Sequence, residues 1–453
     1  MTSPTQTPYR SNPKFEVDLA AIQQLAEKVD LNKLVHVANQ LDAAELGQLL
    51  RQATAAKKAH TPPPVNSDFY GVFADLDPDL QEKVKLWRNF LNTEIVPIAN
   101  EYWEKGEFPM EVLPKLGDIV REITDGAPYQ FPPADPVKFA TLFSLEMGRL
   151  EPSFGTFWGV QWGLCLGSIY MFGSEEQKAK WIEPLYHFEK VGSWALTEPT
   201  NGSDAAMGLQ TTAERQGDTW ILNGQKKWSG NAPFADVNVI WAKDTADGQV
   251  KGFLVELDNP GYHVEKLEGK ISKRIVQNAL ITLDNCQISE ADRLPGVHSF
   301  RDVGRQLAAA RSMVAWEAVG VAMGAYEKAL DYANNRIQFG KPITSYQMVQ
   351  QQFVEMLGHI TAMQAMVMQL TRVDLREGHI SHERASLAKA YCSARLREVV
   401  AMARGVLGGN GILLDHDVAR FFADAEAVYS YEGTYEMNTL IVGRAITGQS
   451  AFV

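Results

Sequence analysis

A chain of 453 residues, 45% hydrophobic and 22% charged, is long enough for several structural units around a large core. Its formal net charge is −12 and it has no long basic run, which argues against nucleic acid and anionic membrane as main partners. Local basic groups can still hold a phosphorylated ligand. The three cysteines, Cys165, Cys286 and Cys392, lie far apart without a CxxC spacing, so neither a disulfide framework nor a metal site is expected.

The first twelve residues are polar, carry one Arg and lack an apolar signal core, and no apolar stretch is long enough to span a membrane. The final Ala451-Phe452-Val453 is not a peroxisomal tail, and the expected compartment is the cytoplasm. Leu19, Ile22, Leu25, Ala26 and Val29 recur at helical spacing, and a second helix is expected over 43–59. Thr61-Pro62-Pro63-Pro64 reads as a linker. Val84, Trp87, Leu91 and Ile95 form one helical stripe, and Phe139, Leu142, Phe143 and Met147 another. The stretch 125–136 between them reads as a loop.

Over 191–296 the period changes. Asn223-Gly224 after Trp220-Ile221-Leu222 predicts a tight hairpin turn. Segments 237–241, 253–255 and 280–283 are predicted strands. Helices return beyond 303, with apolar stripes through Met313–Ala325 and Val349–Ile360. The expected class is α+β. An N-terminal helical extension and linker (1–64) precede an α-domain (65–190), a β-barrel-like middle domain (191–296) and a C-terminal four-helix bundle (297–453).

Tyr431-Glu432-Gly433-Thr434-Tyr435-Glu436, after Gly408-Gly409-Asn410-Gly411, places Glu432 among Tyr, Gly and Thr. A carboxylate drawn out of water gains proton affinity, which suits a base for a weakly acidic carbon. An exposed Glu in a turn beside a helix is the plain alternative.

Three further motifs occur in order: Thr197-Glu198-Pro199 with Asn201-Gly202-Ser203-Asp204, then Asn223 to Trp228, then Arg336-Ile337-Gln338-Phe339-Gly340-Lys341. From about residue 80 onward the chain resembles the acyl-CoA dehydrogenase and acyl-CoA oxidase flavoproteins. Within them it is most similar to the glutaryl-CoA dehydrogenase branch and the plant short-chain acyl-CoA oxidases. Arg274 to Asn278 and Arg311 to Trp316 carry the likeness to the plant enzymes.

The resemblance implies an FAD enzyme oxidising an acyl-CoA to a trans-2-enoyl-CoA. Glu432 would be the base, and its backbone N–H would help hold the thioester carbonyl. Leu196, Thr197, Ser203, Trp228, Arg336, Phe339, Gln347, Gly408, Gly409 and Thr434 would bind the cofactor, and Ser203, Arg311, Tyr431 and Gly433 the substrate. Arg336 and Phe339 would reach the cofactor of a neighbouring subunit in a homotetramer or homodimer. Some relatives carry their base just before Arg311, where this chain has Ala310, which cannot serve. The acceptor would be electron-transfer flavoprotein or molecular oxygen. No GxGxxG fingerprint is present, so FAD binding does not imply a Rossmann fold.

The chain departs from the family pattern in three places. Gly230 stands where many relatives have a Thr that bonds flavin N5, predicting open space there and easier access for oxygen. The stretch 121–136 does not match the usual acyl-pocket sequence, which leaves as an alternative a related flavoenzyme acting on an unusual acyl group: dicarboxyl, sulfinated or carrier-bound. The first 64 residues have no counterpart. A non-catalytic acyl-CoA- or partner-binding protein is the remaining alternative, against which the intact Glu432 argues.

Overall fold

The computed structural model describes residues 62–131 and 133–451. The chain divides into two compact units, 1–64 and 65–453. The helices expected over 15–60 lie outside the described residues; Pro62 to Pro64 are exposed and without regular structure.

The first helical region contains α1 (Pro78–Phe90), α2 (Val96–Lys105), α3 (Leu113–Ile123), α4 (Pro152–Trp158), α5 (Gly167–Phe172) and α6 (Glu175–Tyr186). α1 starts on Asp77, whose side chain accepts from the Asp79 N–H, and buries Val84 and Trp87 as the apolar stripe predicts. Between α1 and α2 the ladder widens to a π-helical turn, Leu91–Ile95, just before Pro97. Proline lacks the N–H that an α-ladder would use there. The predicted loop after α3 is irregular over 124–131 and 133–135 and sends Tyr129 and Phe131 inward; the Tyr129 hydroxyl donates to Trp162 O at 2.6 Å. Two further π-helical stretches follow, Ala140–Glu146 and Gly159–Leu166, the latter joining α4 to α5.

Seven strands follow: β1 (Gly192–Ala195), β2 (Thr212–Gln216), β3 (Thr219–Gly230), β4 (Val237–Asp244), β5 (Val250–Glu256), β6 (Tyr262–Lys266) and β7 (Asn278–Ser289). Their order is β1-β4-β2-β3-β7-β6, with β5 also on β4. β4 lies parallel to β1 and β2, and the remaining pairings are antiparallel. All three predicted strand segments are strands. The hairpin expected at Asn223-Gly224 is not formed: β3 runs through it, and the turn from β2 lies at Gly217-Asp218. Gly224 instead sits at a register shift against β7, where a Cβ would lie 2.7 Å from Thr211 Cα. The Asn-Gly pair thus serves a bulge and a close backbone approach rather than a turn.

The last region is helical: α7 (Phe300–Asn335), α8 (Gln347–Glu377), α9 (His382–Val406), α10 (Val418–Ser430) and α11 (Tyr435–Thr447). α7 opens on a capping box between Ser299 and Asp302, and α8 ends on Gly378 in the left-handed conformation. The fourth arm of the predicted bundle is interrupted. α10 and α11 both pack on α9 but are separated by the turn 431–434, where Thr434 caps α11 by accepting from the Met437 N–H at 3.3 Å. The break exposes the backbone of this turn to a cavity. Among the described residues no helix is long and apolar enough to cross a membrane.

Candidate active site

A cavity of about 870 Å³ opens among the first helical region, the sheet and the last helices. That is within the range of small-molecule sites. Its walls include the 155–164 helical stretch, the loop around 196–203, the end of β3, the loop 267–277, the middle of α7 and the turn 431–434. Of the residues singled out from sequence, Leu196, Thr197, Ser203, Trp228, Tyr431, Glu432, Gly433 and Thr434 line it together. Ala310 lines it as well and offers no carboxylate.

Six others do not line it. Arg311 lies behind the turn, with its Nε donating to Glu432 O at 3.2 Å. Phe339 is 95% exposed, and Arg336, Gln347, Gly408 and Gly409 are exposed too. Arg336 instead borders a second, smaller cavity with Tyr332 and Asp415.

Glu432 and Gly433 both have positive φ, +54° and +81°. Such backbone costs about 1–3 kcal/mol at a non-glycine residue and persists where the surroundings over-determine it. Here they do so with cations and an amide. Asn438 Nδ2 donates to Gly433 O and Thr434 O at 2.8 and 3.0 Å, and Lys389 Nζ to Gly433 O and Tyr429 O at 2.8 Å each. Burial pushes the Lys389 ammonium down to about 8, against the attraction of Glu432.

Neither oxygen of Glu432 takes a hydrogen bond among the described residues, and Oε2 is shut off from solvent. Burial raises its proton affinity, Arg311 and Lys389 oppose that, and Glu317 adds to it. Three glutamates line the cavity. Glu426 is paired to Arg397 and Glu317 to Lys273, each at 2.8 Å. Glu432 is the one of the three whose carboxylate has no partner among the described residues. The Glu432 backbone N–H also has no acceptor among the described residues.

Trp228, also in the cavity wall, is left-handed (φ +71°) and 54% exposed, an aromatic face for a planar ring to cover. The loop beside it is anchored from below. Glu198 accepts from the Gln210 and Thr211 N–H groups at 2.7 and 2.9 Å and from buried Lys226 Nζ at 2.8 Å, while Lys226 also reaches Leu196 O at 3.1 Å. An exposed indole, a rigid loop with free Thr197 and Ser203 hydroxyls and the size of the cavity together fit a flavin ring.

The remaining wall is aromatic and partly bare. Phe131, Phe139, Phe143 and Trp158 line it, and at Gly159 and Gly163 an added Cβ would meet nothing within 4 Å. Glycine widens the pocket at these two positions.

Gly230 lines the cavity, but the place that a Cβ would take there is not open as expected. A Cβ there would lie 3.0 Å from Val160 Cγ2 and 3.2 Å from Val276 Cγ1, so two valines fill the place. Gly230→Ala is accordingly expected to lower stability by about 1–3 kcal/mol through overpacking. Val160→Ala in the same chain should restore most of that loss. Thermal or urea unfolding of the two variants checks it.

Sequence reasoning missed Glu317, Lys273 and the Lys226–Glu198 pair. Glu317, between Trp316 and Ala318 in an apolar run of α7, carried a signal: a charge on a buried helical face requires a partner.

The chain matches three family descriptions in succession: "Acyl-CoA dehydrogenase, N-terminal domain" over residues 77–189, "middle domain" over 193–286 and "C-terminal domain" over 300–447. It is 32% identical to the short-chain specific acyl-CoA dehydrogenase of Rattus norvegicus mitochondria over 361 residues, covering 78% of this chain and 87% of that one. Among solved structures it is similar to glutaryl-CoA dehydrogenase from Mycobacterium smegmatis, with TM-score 0.80, 32% identity and coverage of 86% and 100%. A glutaryl-CoA dehydrogenase from Mycobacterium smegmatis in complex with FADH2 matches at TM-score 0.79 and 30% identity, covering 85% and 98%. The three-part α+β architecture and the cavity between an exposed Trp and an isolated carboxylate are those of an FAD-dependent dehydrogenase of acyl-CoA thioesters: the chain belongs to the acyl-CoA dehydrogenase family.

Proposed function

We propose that this enzyme oxidises the CoA thioester of an uncharged acyl group between its α- and β-carbons to a trans-2-enoyl-CoA, with Glu432 as the base. The observation that carries this reading is the unpartnered, solvent-excluded Oε2 of Glu432 in the cavity wall. Glu432 takes the α-proton, and its free backbone N–H holds the thioester oxygen on which charge develops. Leu196, Thr197, Ser203 and Trp228 seat the ring of the cofactor, and Thr434 meets it from the C-terminal helices. Bound FAD supplies the acceptor, at N5, for the hydrogen leaving the β-carbon with its electron pair. Arg311 acts from behind, holding the turn rather than touching substrate.

An uncharged acyl group is favoured because, among the described residues that line the cavity, every cation but Lys227 is already engaged, and Lys227 lies over the Trp228 ring where the cofactor is proposed to sit. No arginine lines the cavity. Lys273 Nζ is taken by Glu317 and Pro152 O, and Lys270 Nζ by Lys273 O, Val276 O and Asn278 Oδ1. Lys227 Nζ lies 5.4 Å from the Trp228 ring. This favours a bulky apolar acyl group over the dicarboxyl or sulfinated ones.

The exposed Arg336, Phe339, Gln347, Gly408 and Gly409 fit contact with the cofactor of a second copy, as in a homodimer or homotetramer. Electron-transfer flavoprotein is the proposed acceptor, since Val160 and Val276 close the space beside Gly230 that oxygen access would use.

Anaerobic titration of the yellow holoenzyme with a panel of acyl-CoAs tests this reading. Branched or aromatic monocarboxylic thioesters are expected to bleach the flavin, glutaryl-CoA not, with the bleached enzyme persisting in air. Bleaching by glutaryl-CoA alone would contradict the uncharged pocket, and prompt recovery with peroxide would contradict the acceptor.

A further inference from the structure

The cavity wall holds a second carboxylate that the proposed reaction does not use. Glu317, on α7, is only 8% exposed, and both of its oxygens are engaged. Oε2 accepts from the Tyr431 hydroxyl at 2.7 Å; Oε1 accepts from Lys273 Nζ at 2.8 Å and from Thr156 Oγ1 at 3.3 Å. Lys273 arrives from the loop 267–277 in a left-handed conformation, φ +50°. Its N–H donates to Asp424 Oδ1 on α10 at 2.6 Å, and its Nζ also donates to Pro152 O at 2.6 Å. One ion pair therefore ties the sheet region, α7 and α10 together at a residue adjacent to Glu432.

For stability alone such a pair is a poor choice. Desolvating two charges offsets most of their attraction, and well-packed apolar residues would hold the same elements as firmly. The pair differs from packing in two respects: it borders the cavity, and it grips the hydroxyl of the residue just before the base.

We propose that Glu317 and Lys273 are positioning residues for the base, clamping Tyr431 so that the 431–434 turn keeps its shape while each cancels the other's charge beside Glu432. This rests on the reading of Glu432 as the base. The charged and titratable groups facing Glu432 are then Arg311 and Glu317 from α7, Lys389 from α9 and neighbouring Tyr431, while Glu436 at the start of α11 acts on Lys389. His382 Nδ1 stands 3.4 Å from Arg311 Nη1, and Lys273 stands behind Glu317. With the pair intact, Arg311 and Lys389 are the uncancelled cations; breaking it on either side changes the field at Glu432 in a known direction.

The test is the pH dependence of flavin reduction in holoenzyme variants, by anaerobic stopped flow. Glu317→Gln leaves the Lys273 cation uncancelled, which keeps Glu432 ionised to lower pH. The acid limb is expected to move down by about one pH unit. Lys273→Met leaves the Glu317 anion uncancelled, and the limb is expected to move up. The double variant should return it to near the wild-type position. Tyr431→Phe, which keeps the pair and cuts only its link to the turn, is expected to slow reduction several-fold with KM and the limb unchanged.

Limbs that stay in place, or that move in the same direction in both single variants, would overturn the proposal, as would full activity in Tyr431→Phe. Glu432→Gln serves as the companion. If it still reduces flavin, the base reading itself fails. If it is inert while the limbs of the pair variants stay fixed, only the positioning role fails.

Discussion

Glu432→Gln is expected to reduce flavin at a rate lower by on the order of 10³-fold or more, while binding FAD and acyl-CoA as the wild type does. Positioned general bases contribute about 10²–10⁴-fold, and an amide of the same shape keeps the turn while losing the basic oxygen. Stopped-flow reduction alongside flavin content measures both halves of the statement. The pH profile carries a second part. Burial raises the Glu432 carboxyl above the ordinary glutamate value, with Arg311 and Lys389 pulling the other way. A base works ionised, so activity is lost as pH falls, and the loss should set in above the usual carboxylate range rather than within it. Loss centred at or below that range would mean that the carboxylate is solvated in the working enzyme.

Glu198→Gln is expected to destabilise the fold by about 3–5 kcal/mol, because it removes one member of a buried ion pair and leaves the other. Lys226 has no solvent exposure; its other recorded acceptor is Leu196 O. The substitution also replaces the acceptor of the Gln210 and Thr211 N–H groups with an amide that has one acceptor oxygen instead of two. Since Leu196 and Thr197 belong to this same anchored loop, weaker FAD retention should accompany the lost stability. Burial already holds Lys226 down at about 8 against the attraction of Glu198. The cost in the variant is that of an unpaired ammonium, so it should be largest at low pH and shrink as pH rises and the group sheds its proton. Urea denaturation at pH 6 and pH 9, with released flavin measured by fluorescence, distinguishes this from a simple packing defect, which would not depend on pH.

Legibility from sequence followed the range of the interactions. The helix–sheet–helix order was readable because apolar periodicity is local: Trp87 and Val84 on α1, or the buried run of β4, announce their own faces. The short motifs were readable for a related reason. Leu196 to Ser203, Trp228 and the 431–434 turn are segments where the backbone itself forms the site, and Gly, Thr and a positive φ leave traces in sequence. Side-chain pairs across the fold were not readable. Lys273 and Glu317 are 44 residues apart and Lys226 and Glu198 28, and each looked like an ordinary charge in its own segment. The two overturned expectations share one cause. Asn223-Gly224 and Gly230 were read for what glycine permits at its own position, whereas Thr211 in one case and Val160 with Val276 in the other decide the space beside it.

The most direct test of the central claim follows the proton. Wild type and Glu432→Gln are incubated anaerobically in D2O with a thioester that carries no leaving β-hydrogen, and deuterium at the α-carbon is read by mass spectrometry. The account predicts steady exchange in the wild type and none above background in the variant. Equal exchange in the two proteins would contradict it, and would move the base to another residue.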